Sequence, residues 1–197
     1  MYSDVYKVRQ KEQKQLRKKE NIKLYEQVNI TLEEKECFEK LVEKKISNVL
    51  FDSEKDDWLQ ETSVFNLRLL NKENVCILIE DDNNNKFGGV VSCKIQNTNT
   101  WLGNGNSFIF SLTKNGERNC KKYTPNNGFE CGNEFILSPK GHKLLFMFGG
   151  CKGNDIRVYK KKTDKSWCSP CTYTAKAGDL TGTYYFEPKR IVVFQLI

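Results

Sequence analysis

Eight cysteines and a single histidine hold most of the chain's capacity for chemistry. Cys168-Ser169-Pro170-Cys171 is a Cys-x-x-Cys, the spacing at which two thiolates can hold one zinc ion or work as a redox pair. A structural zinc site needs two further ligands. Cys120 and Cys131 are available, but ten residues between them fit no finger or ribbon spacing, and no strand-to-helix step follows Cys171 as in a thioredoxin-like motif. Cys168 and Cys171 are therefore expected to be thiols in a turn, and the chemistry left to them is that of a thiol-based redox sensor. His142, in Ser138-Pro139-Lys140-Gly141-His142-Lys143, rules out any site built on two imidazoles and reads as an exposed turn residue.

Gly149-Gly150-Cys151-Lys152-Gly153-Asn154 has the look of a phosphate cradle, yet it lacks the Gly-Lys-Ser/Thr ending and precedes a strand instead of a helix. A tight turn or bulge is expected there, and the same reading applies to Gly88-Gly89. Asp52, Asp56 and Asp57, and the cluster Glu80-Asp81-Asp82, do not follow calcium-loop spacing and are expected in solvated loops. Lys160, Lys161 and Lys162 end a strand close to Trp167, and with Arg9, Lys11, Lys14, Arg17, Lys18 and Lys19 of the amino-terminal segment they are the candidate contacts for a polyanion. No nucleophile is nominated for the one histidine. The chain is expected not to be an enzyme and to need no cofactor or metal.

Charge is unevenly distributed within the net +7. Residues 113–197 hold fifteen Lys/Arg against seven Asp/Glu, whereas residues 46–112 hold five against nine. Such an excess can attract phosphates or anionic surfaces, so a nucleic-acid-binding or nuclear regulatory protein is one reading. The first twenty residues contain no apolar run, which predicts neither a secretory signal nor a membrane span, and a cytoplasmic or nuclear location. In such a compartment cysteines are expected as thiols.

Elements must position these groups. Residues 7–23 favour helix but carry few apolar positions, which predicts a basic helical or partly disordered arm over residues 1–30, ahead of a domain over 31–197. Thr31-Leu32-Glu33-Glu34 matches a capping box, and a helix is predicted from there to about Ile46, its stripe formed by Leu32, Phe38, Leu41, Val42, Lys45 and Ile46. Beyond it the period falls toward two. Strands are predicted at 49–51, 75–80, 87–95, 107–112, 135–137, 144–148, 156–160 and 191–196, with a hairpin loop at 81–85. In Ser107-Phe108-Ile109-Phe110-Ser111-Leu112 the alternation puts Phe108, Phe110 and Leu112 on one face of a half-buried strand. The expected class is α+β, with mostly antiparallel sheets and few helices.

An ordered set of short motifs resembles the TLDc domain, the module of oxidation-resistance proteins. The set is Leu50-Phe51-Asp52-Ser53 with Trp58, Val64-Phe65, the apolar run 75–79, Asn85-Lys86-Phe87-Gly88-Gly89, Ser107-Phe108-Ile109-Phe110-Ser111-Leu112, Phe148-Gly149-Gly150 and Arg190-Ile191-Val192-Val193-Phe194. The resemblance covers residues 32–197. It implies two antiparallel sheets packed as a sandwich with flanking helices, and a non-enzymatic interaction module in oxidative-stress response or in regulation of the vacuolar proton-pumping ATPase, whose subunits would be its partners. Trp58, Phe87, Gly88, Gly89, Ser107, Phe108, Phe110, Gly149 and Gly150 carry the motif as structural residues.

Overall fold

The computed structural model describes residues 2–127, 132–151 and 153–197, excluding the side chains of residues 2–5, 14 and 17–21. Its helices are α1 (Tyr2–Gln27), α2 (Leu32–Val42) and α3 (Phe65–Leu69). The strands are β1 (Ile46–Asp52), β2 (Val75–Asp81), β3 (Lys86–Val91), β4 (Trp101–Leu102), β5 (Phe108–Lys114), β6 (Glu117–Tyr123), β7 (Phe135–Leu137), β8 (Leu144–Phe148), β9 (Asn154–Tyr159), β10 (Ser166–Ser169), β11 (Tyr185–Phe186) and β12 (Pro188–Leu196). They form two six-stranded sheets. The first has the order β1-β12-β2-β3-β5-β6 and the second β11-β10-β9-β8-β7-β4. The pairs between named strands are antiparallel, so the α+β sandwich expected from the sequence is the observed one.

Period-two alternation explains how the sheets meet. In β12, Ile191 and Val193 join the core between the sheets, with Ile77 and Ile79 of β2, Phe87 of β3 and Phe146 and Phe148 of β8. The intervening Val192, Phe194 and Leu196 point the other way, into a second cluster with Tyr25, Val28, Ile30, Phe38, Phe108 and Phe110. The first sheet is thus the middle of three layers. Phe108, Phe110 and Leu112 do share a face, but β5 is buried on both sides, because α2 and the end of α1 cover that face while Ile109 enters the inter-sheet core. Each fully buried phenylalanine contributes roughly 1.5–3 kcal/mol relative to an exposed one.

The capping box at Thr31 is formed: the Glu34 N–H donates to Thr31 Oγ1 at 3.2 Å and the Thr31 N–H to Glu34 Oε2 at 2.9 Å. The helix stops at Val42, short of Ile46, because Glu43 turns left-handed (φ 55°) and its N–H closes on the Glu39 carbonyl. Ile46 consequently begins a strand, and Leu32 is exposed instead of lying in the stripe. Burial also begins before residue 31, since Tyr25, Val28 and Ile30 pack under α2, and the Tyr25 hydroxyl donates to Glu39 Oε1 at 3.2 Å. Strand β6 is unpredicted in sequence: Glu117–Tyr123 is polar because it is the edge of its sheet, where exposed Lys121 and Lys122 discourage further pairing.

Candidate interaction surface and buried polar network

The candidate thiol pair is separated by the fold. Cys171 is bonded to Cys151, with Cα atoms 6.0 Å apart, and not to Cys168. Cys168 is buried in the core between the sheets, where burial pushes its thiol well above the usual range. The reason for this partition is strand alternation: Cys168 lies in β10 facing inward, whereas Cys171 lies past the strand end at the surface. Cys37 of α2 and Cys120 of β6 form a second disulfide, Cα to Cα 5.7 Å, that ties a helix to the edge strand. Both bonds correct the expectation of thiols alone. Cys131 falls outside the described residues.

What pins the segment after the Cys-x-x-Cys is a carboxylate that composition did not single out. Asp155 of β9 is fully buried and accepts from the backbone N–H groups of Cys171, Thr172 and Tyr173 at 3.0, 3.0 and 2.9 Å. Burial raises its pKa, and these donors only partly offset that rise. Gly149 faces the same carboxylate with φ +83°, and a Cβ there would collide with Asp155, so both backbone conformation and space require glycine. The turn expected at Gly149 is therefore present. Gly88 and Gly89 differ from expectation: they lie inside β3, where a Cβ on Gly88 would overlap the Ile77 carbonyl and one on Gly89 would sit 2.5 Å from the Phe148 ring. Trp58 is buried, Phe87 packs edge-on against Phe186 at 5.1 Å, and the Ser107 N–H donates to Glu134 Oε2 at 3.2 Å. Gly150 donates its N–H to the Asn133 carbonyl at 2.8 Å.

Three acidic residues expected in solvated loops, Asp52, Glu80 and Asp81, are instead buried, whereas Asp57 and Asp82 are exposed as expected. Arg190 donates from Nε to Asp52 Oδ1 at 3.1 Å and from Nη2 to Asp52 Oδ2 at 2.8 Å, and Nη2 also reaches the Gln27 carbonyl at 2.9 Å. Burial pushes the Asp52 carboxyl up, but the hydrogen bonds and charge of Arg190 outweigh it and hold the carboxyl below the usual range. Lys86 donates to Glu34 Oε2 at 2.8 Å and to the Asn29 carbonyl at 2.6 Å, while the Thr113 hydroxyl donates to Glu34 Oε1 at 2.7 Å. Glu80 accepts from Lys189 and Asn29, each at 2.9 Å. These bonds fasten the helical layer to the first sheet. Asp81, with no exposure, accepts from the N–H groups of Asn83 and Asn85 and closes the expected hairpin loop. Sequence reasoning missed the pairing because Asp52 and Arg190 stand 138 residues apart.

Of the candidate polyanion contacts, Lys160 is withdrawn. It is buried, and its ammonium donates to the Pro139 carbonyl at 3.0 Å and the Gln60 carbonyl at 3.4 Å. Lys161 and Lys162 are exposed and line, with Trp58, Tyr159 and Lys165, an open cleft of about 330 Å³. Arg9 and Lys11 are exposed on α1; the side chains of Lys14, Arg17, Lys18 and Lys19 fall outside the described ones. His142 is exposed, its Nδ1 accepting from the Leu144 N–H at 3.1 Å within the turn. Among the described residues no group of three or more His, Cys, Asp or Glu is placed to hold a metal ion.

The family model of the TLDc domain matches residues 16–197. The chain belongs to the TLDc domain family. The match starts inside α1, in keeping with the burial of Tyr25, Val28 and Ile30 in this TLDc domain. Among curated proteins none matches the chain. The motif residues that carry the family likeness are largely spent on packing: Trp58, Phe87, Phe108 and Phe110 are core, and Gly88, Gly89 and Gly149 let other atoms come close. Among the described residues, no helix of the TLDc domain is long and apolar enough to cross a membrane.

Proposed function

We propose that this TLDc domain is a non-enzymatic protein-interaction module in oxidative-stress response or in regulation of the vacuolar proton-pumping ATPase. The observation that carries the reading is membership of the TLDc family over residues 16–197, a module type linked to oxidative stress. Three carboxyl groups with shifted ionisation support it, because Asp52, Glu34 and Asp155 are each committed to internal hydrogen bonds. A thiol sensor built on Cys168 and Cys171 loses its pair, since one is buried and the other bonded elsewhere.

Affinity isolation of the tagged full chain from its own cells, with and without nuclease, tests the reading. Recovery of pump subunits that survives nuclease is the expected result for the pump version. Loss of all partners on nuclease treatment would transfer the function to nucleic-acid binding. Unchanged survival in peroxide after deletion of the protein would remove the oxidative-stress version.

A further inference from the structure

The two sheets differ in what lies over their outer faces. The first is covered by α2 and the end of α1, whereas the described residues place no such helical layer on the second. Cross-strand register lines up one continuous row over that open face: Trp101 opposite Ile136, Ile136 opposite Met147, Met147 opposite Arg157, Arg157 opposite Trp167, and Trp167 opposite Tyr185. Residues in register point to the same side, and their neighbours Phe135, Phe146, Phe148, Ile156, Cys168 and Phe186 fill the inter-sheet core. The row therefore faces away from the inter-sheet core, with Ile136 buried, Trp101, Met147, Arg157 and Trp167 half-buried and Tyr185 exposed. It spans six strands, so at roughly 4.8 Å per strand it is about 24 Å long, the reach of about seven extended residues.

Arg157 is the unusual member. Its guanidinium lies 5.2 Å from the Tyr159 ring centre and 5.4 Å from that of Trp167, which holds it in place by cation–π attraction. One bond fixes it further, Nη1 to Asn154 Oδ1 at 3.2 Å, and Nε is buried without a hydrogen-bond partner. Arg68 and Arg190 both pair with carboxylates, but Arg157 forms no ion pair among the described residues. At the end of the row Lys165 stands 6.0 Å from the ring of Tyr185, which is 56% exposed. The result is a pre-oriented cation without a counter-charge, set between apolar and aromatic groups.

Resting on the interaction-module reading, we infer that this face docks an extended protein segment in which a carboxylate, flanked by apolar residues, pairs with Arg157. The flanks would lie on half-buried Met147 to one side and on exposed Tyr185 to the other. A single-stranded nucleic acid fits less well. The Trp167 ring is already engaged by Arg157 and by Tyr184, stacked at 5.4 Å and 9°, which takes up the stacking surface a base needs. Among the described residues the row itself holds one cation, Arg157, with Lys165 beside its end at Tyr185, a sparse set for following a phosphate backbone.

The test uses purified full-length protein and three labelled probes: a Ser-Ile-Ser-Glu-Ser-Ile-Ser heptapeptide, in which the carboxylate and both Ile side chains share one face when extended, the matching peptide with Gln for Glu, and a ten-nucleotide oligothymidine. Fluorescence anisotropy is expected to show the acidic peptide bound at least about tenfold tighter than the neutral one, with the preference lost in Arg157→Gln and binding weakened by Tyr185→Ala. The two peptides are compared on the unaltered protein, so the comparison does not depend on a variant folding. Equal binding of the two peptides, no binding of either, an unaffected Arg157→Gln protein, or preference for oligothymidine each overturns the inference. Isolation of pump subunits is a separate readout: its failure with peptide binding intact removes the pump reading and leaves this surface standing.

Discussion

Arg190→Met isolates the buried pair that fastens β12 to β1 and to the end of α1. The substitution keeps an apolar stem and removes the guanidinium, leaving Asp52 with a side chain only 3% exposed. Its remaining partners are the Glu54 N–H at 3.2 Å and Lys55 at 3.5 Å, whose side chain is 68% exposed. Removing one partner of a buried pair costs about 3–5 kcal/mol, and an exposed lysine returns at most about 1 kcal/mol. A net loss near 3 kcal/mol is expected. With a urea slope of about 2 kcal/mol per molar, the unfolding midpoint at neutral pH should fall by roughly 1.5 M.

Acidity gives the sign a second check. In the unaltered protein the Asp52 pKa is depressed on folding, so its contribution is fully present above the unfolded value and is lost as pH falls through the folded one. In Arg190→Met burial dominates, the carboxyl pKa rises above its unfolded value, and the penalty relaxes as the group protonates. The gap between the two proteins should therefore narrow from pH 7 toward about pH 4, near the ordinary carboxylate value. Asp52→Asn added to Arg190→Met should restore at least half of the loss, because no buried charge remains. A midpoint shift below about 0.5 M at neutral pH, or a gap that does not narrow on acidification, would refute this account of the pair.

Three further outcomes are expected. Gly88→Ala places a Cβ on the Ile77 carbonyl in the middle of the β2–β3 ladder, so it should yield little or no folded protein, visible as loss of the cooperative thermal transition. Thr31→Ala removes the hydroxyl that accepts from the Glu34 N–H and should cost about 1 kcal/mol in urea unfolding; a loss below about 0.3 kcal/mol would show that the cap is not limiting. Cys37→Ser opens a cross-link between residues 83 apart and should cost about 2–4 kcal/mol in oxidised protein and almost nothing when both proteins are unfolded in reductant.

Local patterns were enough to read the strands whose side chains alternate over a core, such as β2, β5, β8 and β12, and the start of α2, whose capping box is complete within four residues. The family likeness was legible for the same reason: its motifs are short, ordered apolar runs and glycines that answer to nearby backbone. Strand β6 was not legible, because an edge strand owes its place to a neighbour's open hydrogen bonds and carries exposed lysines where a core strand carries apolar groups.

Tertiary structure alone decided which polar groups belong together. Asp52 meets Arg190 across 138 residues, Glu34 meets Thr113 across 79, and Asp155 reaches past the Cys-x-x-Cys to three consecutive N–H groups. Sequence spacing sets which face of a strand a residue takes, since that depends on period two, but partner choice depends on which strands become neighbours. The same rule separated Cys168 from Cys171 and drew Trp101, Met147, Arg157, Trp167 and Tyr185 from five strands into one row.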